Sequence, residues 1–196
     1  MQKPRIEAID NFFPEDISNW ISEYVHNAHY TYGETDDSSL DPRPPTGVVH
    51  DIFNVENEGE DKFIHKNEDA KLMWECFHKG ISVKYPKLFD DYMCYRLYIN
   101  CFAPRELANF HQDCCENSDQ ITFLYYPKHM LWEYDIAQGG WTEFYVDRKT
   151  IGVPPYFNSL VKFDANLLHR ATPFKSYHRF TVAFKVVSKK EYEADD

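Results

Sequence analysis

The chain contains no CxxC pair, no internal repeat and no low-complexity tract. No apolar run approaches the ~20 residues of a transmembrane helix, so no membrane partner is expected. The opening MQKPRIEAIDNFFPED lacks the apolar core of a signal peptide. Basic residues are also scarce, 21 Lys and Arg against 32 Asp and Glu, for a formal charge of −11. Phosphate-rich surfaces require a basic face, so no nucleic-acid partner is expected either. The five cysteines (Cys76, Cys94, Cys101, Cys114, Cys115) are odd in number and lack zinc-ribbon spacing. That pattern points to a reduced, cytoplasmic protein rather than a disulfide scaffold.

What is abundant is aromatic: 15 Phe and 14 Tyr in 196 residues, within a hydrophobic fraction of 43%. A chain of that size and composition can bury a substantial core, and it is read as one domain spanning 1–196. RIEAIDNFF (5–13) has the texture of an opening strand, and Pro14 followed by EDISNWISEYVHNA starts a helix. Ile17, Trp20, Ile21 and Tyr24 fall on one helical stripe. Residues 35–47, TDDSSLDPRPPTG, are turn-formers and prolines, hence a loop. GVVHDIFNV (47–55) alternates like a short strand, and EDAKLMWECFHKG (68–80) reads as a second helix.

From residue 92 the texture changes to short strands separated by turn residues: YMCYRLYINCF, ANFHQD, QITFLYYP, GWTEFYV, SLVKFD, LLHRATPF and RFTVAFKVV. Helices followed by many short strands predict an α+β fold with a jelly-roll core. The expected division is N-terminal support at 1–91, a β core at 92–187 and a polar tail at 188–196.

Within ANFHQDCC, His111 and Asp113 are two residues apart. On a strand, positions i and i+2 point to one face, so both side chains can reach one ligand. Alone, the pair is weak evidence for a metal and reads first as hydrogen-bonded residues at a strand end. Two histidines and one carboxylate are the three protein ligands that leave open positions on a mononuclear Fe(II). The second histidine is available downstream: His169 lies in LLHRATPF, with Arg179 ten residues later and Thr181 two beyond that. Cys114 and Cys115, being adjacent, point to opposite faces and are expected to pack rather than ligate. His178 is expected to face away from Arg179.

This ordered set resembles the 2-oxoglutarate/Fe(II)-dependent dioxygenases, in the prolyl 4-hydroxylase-like branch. TFLYYPK followed by GGWTEFY extends the resemblance, which covers roughly residues 92–187. The resemblance implies a double-stranded β-helix of the jelly-roll, cupin-like type. It implies Fe(II) ligation by His111, Asp113 and His169, a salt bridge from Arg179 to the distal carboxylate of 2-oxoglutarate, and supporting contacts from Thr181 and Tyr126. Strand parity favours Tyr126 over Tyr125, because Thr122, Leu124 and Tyr126 share a face. The implied reaction consumes O2 and 2-oxoglutarate, gives succinate and a hydroxylated product, and can use ascorbate as accessory reductant.

A protein or peptide side chain is the substrate class the resemblance implies. The chain departs from that branch at NCFAPRELANF, which lacks a glycine-bearing turn, at Phe102 and at Trp141. These positions surround the expected substrate mouth, so a small-molecule substrate stays open, as does a non-catalytic cupin-like binding module. The polar segment 35–66 is expected to form part of the substrate entrance.

Overall fold

The structure, a computed structural model, describes residues 6–32, 48–54, 68–129 and 135–192. The chain begins β1 (Ile6–Ile9), α1 (Glu15–Asn27), β2 (Thr31–Tyr32), β3 (Val48–Asn54), α2 (Glu68–Lys84) and α3 (Leu88–Asp91). It continues with β4 (Tyr92–Phe102), β5 (Gln120–Tyr126), a short 3-10 turn at Ile136–Gln138, β6 (Thr142–Val146) and β7 (Lys149–Val153). It ends with β8 (Ser159–Asp164), β9 (His169–Ala171), β10 (Arg179–Ser188) and α4 (Lys189–Tyr192). Among the described residues, seven strands form one sheet in the order β1-β8-β5-β10-β4-β3-β2, and three form a second, β7-β6-β9; all the ladders are antiparallel.

The large sheet has two different faces because its strands alternate. On β10, Phe180, Val182, Phe184 and Val186 meet the helices, while Arg179, Thr181, Ala183 and Lys185 point the other way. Phe77 of α2 stacks on Phe184 with centroids 4.0 Å apart and packs edge-on against Phe123 at 5.1 Å. Across the opposite face, Phe144 of β6 meets Phe163 of β8 at 4.9 Å, holding the small sheet against the large one. A cavity remains between the two sheets.

Several elements differ from their sequence signature. In α1 the buried stripe is Ser18, Ile21, Ser22 and Val25, with Ile17, Trp20 and Tyr24 half-buried beside it. Two serines can lie inward because Ser18 shares a hydrogen bond with Tyr125 Oη at 2.9 Å and Ser22 Oγ donates to the Ser18 carbonyl at 2.8 Å. Helix α2 runs past Gly80 to Lys84; a Cβ at Gly80 would meet the Phe12 ring at 2.9 Å, so the glycine makes room rather than ending the helix. Strand β7 has no clear alternation and is an exposed edge. It is turned from β6 by Asp147 and Arg148, both at positive φ (50° and 63°), the geometry of a tight two-residue hairpin.

The segment 109–113 is not a strand. Only His111 pairs, in an isolated bridge to His169. The expected polar tail instead begins with α4, whose Lys189 Nζ donates to the carbonyls of Phe89 and Asp90 at 3.0 and 2.9 Å. The 35–47 loop, much of 48–66 and residues 193–196 lie outside the described residues. Among the described residues, no helix is long and apolar enough to cross a membrane.

Candidate metal centre

The loop leaving β4 returns to the sheet at His111. Its N–H donates to the His169 carbonyl at 2.9 Å, and the His169 N–H donates back at 2.9 Å. Two residues on, the Asp113 N–H donates to the Ala165 carbonyl at 2.8 Å. These main-chain bonds, rather than strand parity, bring the histidine and the aspartate to one side.

Each imidazole has Nδ1 against a carbonyl, Asn109 at 3.0 Å for His111 and Leu167 at 2.8 Å for His169. Nδ1 therefore carries the proton, and Nε2 presents its lone pair inward. The two Nε2 atoms lie 3.9 and 3.8 Å from the Asp113 carboxylate oxygens, and the three ligand atoms fall within 4.8 Å of one another. Burial depresses the His169 pKa to about 4 although Asp113 pulls it upward, so this imidazole is neutral at physiological pH, as a ligand must be.

Asp113 is held from two further directions. Lys185 Nζ lies 2.7 Å from Oδ1, and Thr122 Oγ1 donates to Oδ2 at 2.7 Å. Burial opposes the charge on Asp113, but Lys185, His169 and His111 outweigh it and keep the carboxyl well below its usual range. Burial likewise opposes the Lys185 ammonium, and Asp113 with Tyr98 and Tyr95 more than offsets it, leaving that pKa above an ordinary lysine's.

Farther along β10 the cavity ends at Arg179, which is 2% exposed. Its Nε donates to the Gly140 carbonyl and its Nη2 to Thr142 Oγ1, both at 2.9 Å. Tyr126 Oη shares a 2.5 Å hydrogen bond with the same threonine, and the guanidinium stands 5.7 Å from the Tyr126 ring centre. All the partners named are neutral, and among the described residues no carboxylate pairs with Arg179. Two residues on, Thr181 Oγ1 is fully buried and has no hydrogen-bond partner among the described residues. A buried cation without a counter-charge beside an orphaned hydroxyl is unfavourable in isolation and suits an incoming carboxylate. Gly139 and Gly140 build this end: both have positive φ (85° and 77°), and a Cβ on Gly140 would overlap the Phe174 ring at 2.2 Å.

All six candidate residues thus line or border one region between the sheets: His111, Asp113, His169, Arg179 and Thr181 line the cavity of about 240 Å³, and Tyr126 backs Thr142 and Arg179. Tyr125 points to the helices, as parity requires. Of the aromatic run on β4, Tyr98 and Phe102 line the cavity while Tyr92 and Tyr95 bond outward to Asp119 and Gln120. His178 is exposed. Cys115 is exposed too, so it is not the packing residue expected of it, because the chain bends at Asp113 and Cys114 instead of continuing as a strand. Lys185, Thr122 and Thr142 went unassigned in the sequence. Lys185 carried a signal nonetheless, a charge on the Arg179 face of an otherwise apolar strand.

The donor set fits a mononuclear Fe(II): two imidazoles and one ionised carboxylate on one side of a cavity. The Arg179–Thr181 end fits the distal carboxylate of 2-oxoglutarate.

No family model and no curated protein matches the sequence. The fold is nevertheless shared with prolyl hydroxylases and other 2-oxoglutarate/Fe(II) oxygenases. A Trichoplax adhaerens prolyl hydroxylase, solved with a hypoxia inducible factor peptide fragment, superposes with a TM-score of 0.71 at 19% identity, covering 97% of this chain and 87% of that one. A Pseudomonas putida prolyl-4-hydroxylase gives 0.64 at 13% identity over 95% and 93%. HygX from Streptomyces hygroscopicus, with nickel and 2-oxoglutarate bound, gives 0.66 at 7% identity over 95% and 84%.

Proposed function

We propose that the protein is an Fe(II)- and 2-oxoglutarate-dependent dioxygenase that hydroxylates a protein or peptide side chain, built on a double-stranded β-helix. The observation that carries this reading is the pairing of His111, Asp113 and His169 with a buried Arg179 that has no carboxylate partner among the described residues. A binding module of the cupin type has no use for such a clamp. In this reading His111, Asp113 and His169 hold the iron, Arg179 grips the distal carboxylate of 2-oxoglutarate two-pronged, and Thr181 and Tyr126 bond or orient that same end. Thr142 aims the guanidinium. When bound, iron and 2-oxoglutarate supply O2 activation coupled to release of succinate and CO2. Around them, Leu124, Phe163 and Ala183 supply apolar wall to a cavity whose lining is otherwise mostly polar.

The peptide substrate rests on likeness to the prolyl hydroxylases, one solved with a peptide. A small-molecule substrate is the second reading, favoured by Phe102 in the cavity wall. Anaerobic titration with Fe(II) and 2-oxoglutarate tests the site through the weak visible charge-transfer band of the joint complex. No band, and no 2-oxoglutarate-dependent succinate in air, would refute it. A succinate-release screen of peptides against small metabolites then separates the two substrate classes.

A further inference from the structure

Lys185 sits directly across β10 from two neighbours, Arg96 on β4 and Thr122 on β5. Two cations facing each other across a ladder repel unless each has a counter-charge. Arg96 has Asp51, at 3.0 Å, and lies over the Tyr98 ring at 4.1 Å. Lys185 has Asp113, at 2.7 Å, both side chains being nine-tenths buried or more. The carboxylate that completes the metal site is therefore already neutralised by a buried ammonium before any metal arrives.

The consequence is electrostatic. An ordinary site of two imidazoles and one carboxylate holding a divalent ion has a net charge of about +1; Lys185 raises it by one unit, inside a low-dielectric cavity where such a unit is felt strongly. A metal entering alone meets both a carboxylate already shared and a nearby fixed cation. A dianion entering with it cancels the excess. Resting on the site proposed above, we infer that Lys185 makes metal binding depend on the dicarboxylate: it weakens metal binding alone and so couples the two ligands. By reciprocity, the metal must then tighten 2-oxoglutarate by the same factor. The competing view is that Lys185 merely props Asp113 in place. The two views predict opposite signs, since loss of a prop weakens metal binding whereas loss of a competing cation strengthens it.

The test is calorimetric titration of the full chain with Mn2+, with and without saturating 2-oxoglutarate, for wild type, Lys185→Met, Lys185→Gln and Lys185→Arg. Thermal unfolding confirms that each variant folds. In wild type, 2-oxoglutarate should tighten Mn2+ by about tenfold or more, within the usual span of coupled ligands. Both neutral variants should bind Mn2+ alone about tenfold tighter than wild type and show a smaller enhancement; Lys185→Arg should stay near wild type. Weaker or unchanged Mn2+ binding in folded Lys185→Met and Lys185→Gln overturns the inference but leaves the site intact. His169→Ala and Arg179→Ala distinguish the deeper failure: if Mn2+ binding survives His169→Ala, or if the enhancement survives Arg179→Ala, the site assignment itself falls, and this inference with it.

Discussion

Arg179 and Tyr126 meet through one hydroxyl: Thr142 Oγ1 accepts from Arg179 Nη2 at 2.9 Å and shares a 2.5 Å bond with Tyr126 Oη. Three strands, β10, β6 and β5, are thereby joined at the end of the cavity where an anion is expected. Arg179→Lys keeps a charge but loses the planar fork and should raise the Michaelis constant for 2-oxoglutarate about tenfold; Arg179→Ala should raise it further. Thr181→Val should raise it by less, and the Arg179→Lys/Thr181→Val pair should be less than additive, because both serve one carboxylate. Additive effects would show that Thr181 acts elsewhere.

Adjacent tyrosines on β5 should separate stability from binding. Tyr125→Phe removes the hydroxyl bonded to Ser18 on the helix side and should lower unfolding stability by about 1 kcal/mol with little change in the 2-oxoglutarate constant. Tyr126→Phe removes the buried bond to Thr142 and should cost a similar amount of stability, but it should also raise the 2-oxoglutarate constant. Chemical denaturation and steady-state kinetics on the two variants check the contrast.

Asp113→Ala should abolish metal binding, and it should also destabilise the protein, because Lys185 is left as a buried, unpaired cation. Losses from such broken pairs are about 3–5 kcal/mol. Asp113→Ala/Lys185→Met should recover most of that loss without recovering metal. Equal melting temperatures for wild type and Asp113→Ala would contradict the buried pair.

His129 supplies a pH prediction. Burial, with His26 and His178 nearby, depresses its pKa from near 6.5 to about 4. The folded state then favours the neutral ring, so its contribution to stability is full above about pH 6.5 and is lost as the pH falls towards 4. His129→Gln should therefore show a shallower fall in melting temperature across pH 6.5 to 4 than wild type. Parallel curves would refute this.

Most of the framework was legible because it rests on period and punctuation. Strands β4 and β8 match YMCYRLYINCF and SLVKFD to the residue, and α1 starts after Pro14 as its signature requires. Misreadings fall where tertiary contact overrides a local rule. Gly80 resembles a helix stop but accommodates Phe12. ANFHQD alternates like a strand, yet only His111 pairs, and its partner is remote in sequence. The metal ligands and Arg179 were legible through order and spacing. The contacts of Lys185 and Thr142 were not, since nothing local reveals that Lys185 meets Asp113 in a loop or that Thr142 reaches Arg179 from the other sheet.

The reciprocal backbone bridge between His111 and His169 also ties both imidazoles to one strand. Strand β9 is held in turn by β6, where His169 lies opposite Phe144. A substitution that loosens β9 from β6 consequently displaces both histidines together, although it alters neither.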